Sequence, residues 1–242
     1  MNVVHEKTHS ASPRVARKRE LRAEAIVDAA MVLVADEGLD ALTLGRVGSA
    51  LGCVPAALYR YFPSKDALLA ALQRRAIAEI DEALGAALAE LAARAGKRSA
   101  ETVCLAGILV AARAYADLPR THPRAYFLVA VLLGDPRLLL SNEESQRTAP
   151  LLAGLLGRVH ARFEEAATLG VLEAGDATLR TLALWGALQG SLSLDKARRI
   201  APTLPEASFV CEAASMAMLR GWGATQPQLT RASQLATSKR SP

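Results

Sequence analysis

The stretch Thr43–Phe62, TLGRVGSALGCVPAALYRYF, decides how this chain is read. Thr43 carries the hydroxyl of a helix N-cap, and Leu44, Val47 and Leu51 fall on one face of the helix that follows. Gly52 ends that helix. Pro55 suits the first turn of another, which the pattern carries to Phe62, just before Pro63. Leu58 and Phe62, four residues apart, give the second helix a buried face, and Val54 falls on the same side. Two short helices joined by a tight turn make the helix-turn-helix plan, whose second helix enters a DNA major groove. At about 100° per residue, Ala56 and Arg60 then point furthest from the core, flanked by Pro55, Ala57 and Tyr59. Small side chains permit close approach to base edges, alanine methyls pack on thymine methyls, and arginine pairs with guanine.

The flanks extend the pattern. Upstream, Ile26, Ala29, Ala30, Leu33 and Val34 recur at helical spacing in a helix expected from Arg14 to Glu37, with Gly38 as its C-cap. Downstream, Ser64 caps a long helix from Lys65 to about Arg94. Residues 22–72 resemble the DNA-binding domain of the TetR family of bacterial transcriptional regulators. The resemblance rests on Gly38, on Thr43-Leu44, on Leu58-Tyr59-Arg60-Tyr61-Phe62 and on Lys65-Asp66-Ala67-Leu68. It implies a phosphate contact for Thr43, contacts to backbone or thymine for Tyr59 and Tyr61, and a phosphate-binding lysine at Lys65. It also implies a homodimer on a palindromic operator and a second, helical domain for ligand binding and dimerisation.

Some positions depart from the family pattern. Val54 stands where a polar cap is usual, and Pro55-Ala56-Ala57 replaces commonly polar residues. Gly45 and Gly48 each weaken their helix by roughly 1 kcal/mol relative to Ala. Arg46 sits near a helix N-terminus, where a cation needs a neutralising anion. It reads as a phosphate ligand, with a merely solvated side chain as the alternative.

Composition agrees with an all-α fold. Of 242 residues 51% are hydrophobic, mostly Ala and Leu, and only 4% are aromatic. That excludes a wholly disordered chain and disfavours a β-sandwich. The formal charge is +5, and residues 1–22 hold six Lys/Arg against two Glu, a basic arm suited to a polyanion. Three scattered cysteines suggest reduced, buried thiols. The longest strictly apolar run, about Val103–Ala112, is too short to span a bilayer. A soluble cytoplasmic protein is expected, with no membrane partner. The expected organisation is a flexible tail over 1–13, a helix-turn-helix domain over 14–79, an effector-binding and dimerisation domain over 80–222, and a flexible tail over 223–242.

The second domain carries weaker signals. Ala183, Gly186, Ala187, Gly190, Ser193 and Ala197 line one side of a helix expected over 176–200. Ala213, Ala214 and Ala217 repeat the theme in a last helix over 206–221. Two such helices from each of two subunits would pack as a four-helix interface, or the small residues pack within one chain. A cavity for a small apolar effector is expected among the fourth to eighth helices. Its candidate liners are Tyr115, His122, Tyr126, Phe127, His160, Trp185 and Gln189. No enzymatic, metal-binding or cofactor motif is present, so no enzyme activity, metal or cofactor is expected. The expected function is a ligand-released repressor. The alternatives are an activator or ligand-independent DNA-binding protein of the same fold, or a helical enzyme or interaction protein without DNA binding.

Overall fold

The computed structural model describes residues 13–134 and 139–237, and every regular element among them is helical. The chain divides into two compact units between Leu72 and Gln73, earlier than the boundary expected after residue 79.

The first unit holds α1 (Pro13–Glu37), a 3-10 turn (Leu39–Ala41), α2 (Leu44–Ala50), α3 (Pro55–Leu58) and the start of α4 (Lys65–Ala95). Its core takes Ile26, Val27, Ala30, Met31 and Val34 from α1, and Leu44 and Val47 from α2. Leu58, Phe62 and, from α4, Leu68, Leu69 and Leu72 complete it. Upstream of Ile26 the helix has no core to cover, and Pro13–Arg22 are exposed throughout. At the other end of α1, Gly38 takes a φ of +85°, and its N–H donates to the Val34 carbonyl at 2.9 Å.

The second unit holds the rest of α4, then α5 (Ala100–Thr121), α6 (Pro123–Gly134), α7 (Asn142–Thr168), α8 (Ala177–Leu194), a 3-10 turn (Asp195–Arg199), α9 (Ala207–Gly221) and α10 (Gln226–Thr237). Helix α5 is its axis, touching α6, α7, α8, α9 and α10. Residues Cys104 to Ala112 of α5 are buried without a break, which is why its apolar pattern shows no solvent face. By length and composition this helix could cross a membrane, although its uninterrupted apolar run is short. Here its neighbours in the bundle cover it.

Several elements differ from expectation. The C-terminal segment is not a loose tail: α10 buries Leu229, Ala232 and Leu235 against the core. These three hydrophobics, at spacings of three, sit in a polar background of Gln, Thr, Ser and Arg that masks them. The Arg113 guanidinium, on α5, pins this helix by donating to Ser233 Oγ at 3.1 Å and to Glu212 on α9 at 2.5 Å. Helix α5, which the sequence punctuation at Pro119 would end near residue 118, continues through Pro119 to Thr121, because a proline in the last turn forfeits a single hydrogen bond. Helix α8 stops at Leu194 and tightens into the 3-10 turn, which takes Ala197 off the α8 stripe. Cys104 and Cys211 are buried free thiols, and burial pushes the Cys104 thiol up to about 12. Cys53 is only half-buried, at the turn between α2 and α3.

Candidate functional site

The site of interest in the first unit is assembled by the α2–α3 turn. The Thr43 hydroxyl oxygen accepts from the Arg46 backbone N–H at 3.1 Å, the N-cap expected of it. Helix α2 ends at Leu51, and Gly52 takes a φ of +63°, a left-handed turn conformation that favours glycine. The Cys53 N–H then returns to the Gly48 carbonyl at 2.9 Å. Gly48 is buried, and a Cβ there would stand 2.9 Å from the Cys53 carbonyl oxygen and 3.7 Å from Leu58 Cδ1. The residue that sequence reading took as a helix-weakening glycine thus lets α2 approach the turn and α3. Gly45 has only ordinary contact at its Cβ position, 3.9 Å from Thr43 Oγ1.

Helix α3 is shorter than expected. Only Pro55–Leu58 is regular α-helix; beyond it Tyr61 and Phe62 both donate to the Leu58 carbonyl, at 2.8 and 2.9 Å. The rod still runs to Phe62, and it buries Leu58 and Phe62 as the spacing required. Its opposite flank presents Pro55, Ala56, Tyr59 and Arg60 to solvent, with Ala57 and Tyr61 half-buried beside them. Val54 is a correction: it is 68% exposed, not on the core side. It is the extended residue before the helix (φ −68°, ψ 142°), so helical periodicity does not govern its direction.

The same unit carries exposed cations. Lys65 is exposed at the start of α4, where Ser64 Oγ accepts the Ala67 N–H at 3.0 Å. Arg46 is exposed as well, yet the anion that neutralises it in this structure is Glu37, whose two carboxylate oxygens both lie 2.6 Å from Arg46 Nη2. Arg14, Arg17, Lys18, Arg19 and Arg22 stand on the bare part of α1. One of them reaches the turn: Arg19 Nη2 donates to the Arg60 carbonyl at 3.3 Å. Nothing in the sequence pairs those two residues, which are far apart along the chain. The remaining basic-arm residue, Lys7, lies outside the described residues.

The second unit holds a partly open cavity of about 100 Å³ lined by α4, α5, α6, α7 and α8. Ile77, Ile80 and Leu84 line it from α4, Tyr115 and Leu118 from α5, and Trp185 and Leu188 from α8. Tyr115 and Trp185 were expected, and they are linked. The Trp185 indole N–H donates to Tyr115 Oη at 2.9 Å, and that hydroxyl donates to Gln189 Oε1 at 2.7 Å. Burial pushes the Tyr115 phenol up to about 12, so it stays neutral. Gln189 therefore acts behind the wall. The other candidates lie off it: Tyr126 and Phe127 are half-buried on α6, His122 ends α5 beside the Thr121 hydroxyl, and His160 lies 3.5 Å from Glu164 on α7. Sequence reading missed Gln73, which lines the cavity. Its register with Ile77, Ile80 and Leu84 was the available signal, because spacings of four, three and four mark one helical face.

On the outside of this unit, Ala183, Gly186, Gly190 and Ser193 of α8 are exposed, as are Ala213 and Ala217 of α9. Ala187 and Ala214 are half-buried, and so is Ala197 on its 3-10 turn. A Cβ at Gly186 or Gly190 would meet nothing within 4 Å. Leu179, Leu182, Leu194 and Phe209 are exposed on the same two helices. Among the described residues, no group of His, Cys, Asp and Glu is placed to hold a metal ion.

The first unit is thus a helix-turn-helix with an exposed flank on its second helix, and the second is a helical unit around an apolar pocket. Residues 26–72 match the bacterial regulatory proteins of the tetR family. Solved structures share the fold across most of the chain. A tetR-family regulatory protein from Rhodococcus RHA1 is 20% identical with a TM-score of 0.60, covering 84% of this chain and 98% of its own. SmeT, the repressor of the Stenotrophomonas maltophilia multidrug efflux pump SmeDEF, is 21% identical with a TM-score of 0.58, covering 84% and 91%. AibR, solved with isovaleryl coenzyme A and operator DNA, is 16% identical with a TM-score of 0.58, covering 80% and 96%. No curated protein matches the chain in sequence.

Proposed function

We propose that this protein is a homodimeric, effector-released repressor that binds a two-fold operator through α3. The observation that carries this reading is the exposed flank of Pro55, Ala56, Tyr59 and Arg60, which Arg19 of the basic α1 segment reaches at the Arg60 carbonyl. Thr43, Arg46, Tyr61 and Lys65 contact the DNA backbone in this reading. The Thr43 hydroxyl keeps its proton free to donate while its oxygen caps α2. Arg46 exchanges Glu37 for a phosphate, a cheap exchange because both side chains are about half exposed. Base contacts come from Arg60 and the methyls of Ala56 and Ala57, with DNA shape supplying the rest.

Dimerisation uses the exposed small-residue stripe of α8 with α9. Gly186 and Gly190 leave room for a second backbone, and the surrounding leucines and Phe209 gain burial. Two recognition helices about 34–36 Å apart then read successive major grooves. The effector is a small, largely apolar molecule held in the cavity of the second unit. Helix α4 runs unbroken from Lys65 to Leu84 and beyond, so one rod carries both a proposed phosphate ligand and part of the cavity wall. A ligand that prefers one tilt of this rod shifts the operator equilibrium, and a coupling of about 1–3 kcal/mol changes affinity roughly 5- to 150-fold. SmeT and AibR, a repressor and a protein solved with both ligand and operator, support this assignment by analogy of fold. The protein acts where the chromosome is, in the cytoplasm.

A salt titration against fragments of the source genome tests the reading. Binding is expected to prefer particular fragments and to fall linearly on a log–log plot of affinity against salt. Lys65→Ala lowers affinity for all fragments and shallows that slope by about 1. Weak, salt-insensitive binding without preference among fragments refutes it.

A further inference from the structure

The cavity has one polar group left over, and that group defines the ligand it takes. Resting on the reading of this cavity as the effector site, we infer that it selects an uncharged hydroxyl-bearing molecule, recognised by the Gln73 carboxamide.

The charge limit comes from the lining. Among the described residues, no Lys, Arg, His, Asp or Glu lines the cavity, so a carboxylate or phosphate would enter without a counter-ion. The polar limit comes from hydrogen bonding. Thr181 Oγ1 already donates to the Ala177 carbonyl at 2.8 Å, and Trp185 and Tyr115 are committed to the chain that ends on Gln189. Gln73 Oε1 is buried with no hydrogen-bond partner. An acceptor without a protein partner is relieved by a ligand O–H. The carboxamide turns readily about its last torsion, so its NH₂ can also donate to the same hydroxyl oxygen. A hydroxyl matches both halves of the amide. A methyl matches neither, and a carboxylate leaves Oε1 without a donor.

Calorimetric titration of the full chain with phenol, toluene and benzoate tests this. Phenol and toluene have nearly the same shape, so their ratio isolates the hydroxyl. Phenol is expected to bind about ten-fold tighter than toluene, and benzoate not to bind measurably. Gln73→Leu is expected to bring phenol and toluene to within about two-fold of each other. Without ligand, Gln73→Leu melts no lower than the parent, because the variant removes an unpaired acceptor. Toluene binding as tightly as phenol, a ratio unchanged in Gln73→Leu, measurable benzoate binding, or no binding of phenol each overturns the inference. The effector reading fails separately. If phenol binds as described but does not release DNA, the ligand chemistry stands and the effector role falls. If a different compound releases DNA while phenol does not bind, the reverse holds.

Discussion

Gly45→Ala and Gly48→Ala, three residues apart on α2, are expected to change stability in opposite directions. Sequence alone treats the two alike, each gaining roughly 1 kcal/mol of helix propensity on replacement by Ala. At Gly45 the new methyl meets only Thr43 Oγ1, at 3.9 Å, so most of that gain survives. At Gly48 the methyl stands 2.9 Å from the Cys53 carbonyl oxygen, a backbone atom in the turn that the Cys53 N–H to Gly48 carbonyl bond closes. Forcing that turn open costs about 1–3 kcal/mol, which outweighs the propensity gain and leaves a net loss of about 1 kcal/mol. The two variants should therefore differ by about 2 kcal/mol, close to 30-fold in the opening equilibrium of the motif. Both tryptophans, Trp185 and Trp222, lie in the second unit, so indole fluorescence does not report on α2. Amide hydrogen exchange on peptides spanning 44–62 does, with Gly45→Ala slowing exchange and Gly48→Ala speeding it. Equal protection in the two variants would refute the close approach assigned to Gly48.

Two further outcomes follow from the proposed interfaces. Arg60→Ala should flatten the preference among operator bases at particular positions, measured by selection from a randomised operator library; a uniform loss at every position would reject base reading by Arg60. Gly190→Leu should yield monomers in sedimentation while leaving the helical spectrum intact, since Gly190 is exposed and a Cβ there meets nothing within 4 Å inside one chain; an unchanged sedimentation mass would reject the α8 interface.

The helix-turn-helix was readable because its signals are local. A cap, a turn glycine and apolar residues three and four apart act over distances of a few residues. The same locality explains the misreading of Val54, since periodicity holds only inside a helix and Val54 precedes one. Gly48 needs its glycine because of the turn folded back on it, which propensity does not register. In the second unit the failures are of another kind. The three buried residues of α10 make too thin a stripe to stand out from polar neighbours until α5 is there to receive them. The cavity is lined by five helices, so its wall is a property of tertiary packing. Tyr115 and Trp185 were found as the conspicuous side chains of Leu/Ala-rich helices. Gln73 passed unnoticed because a single polar residue on a long exposed-looking helix is ordinary.

The claim on which everything rests is that the outward flank of α3 meets the duplex. Ala56 is exposed at its centre. Ala56→Glu places a carboxylate where base edges and phosphates should approach, and like-charge juxtaposition with desolvation costs several kcal/mol. Operator affinity of Ala56→Glu against the parent, measured at one salt concentration with folding checked by circular dichroism, is therefore the most direct test. A loss of at least about a hundred-fold with an unchanged spectrum is predicted. Parental affinity in a folded Ala56→Glu protein would contradict the account.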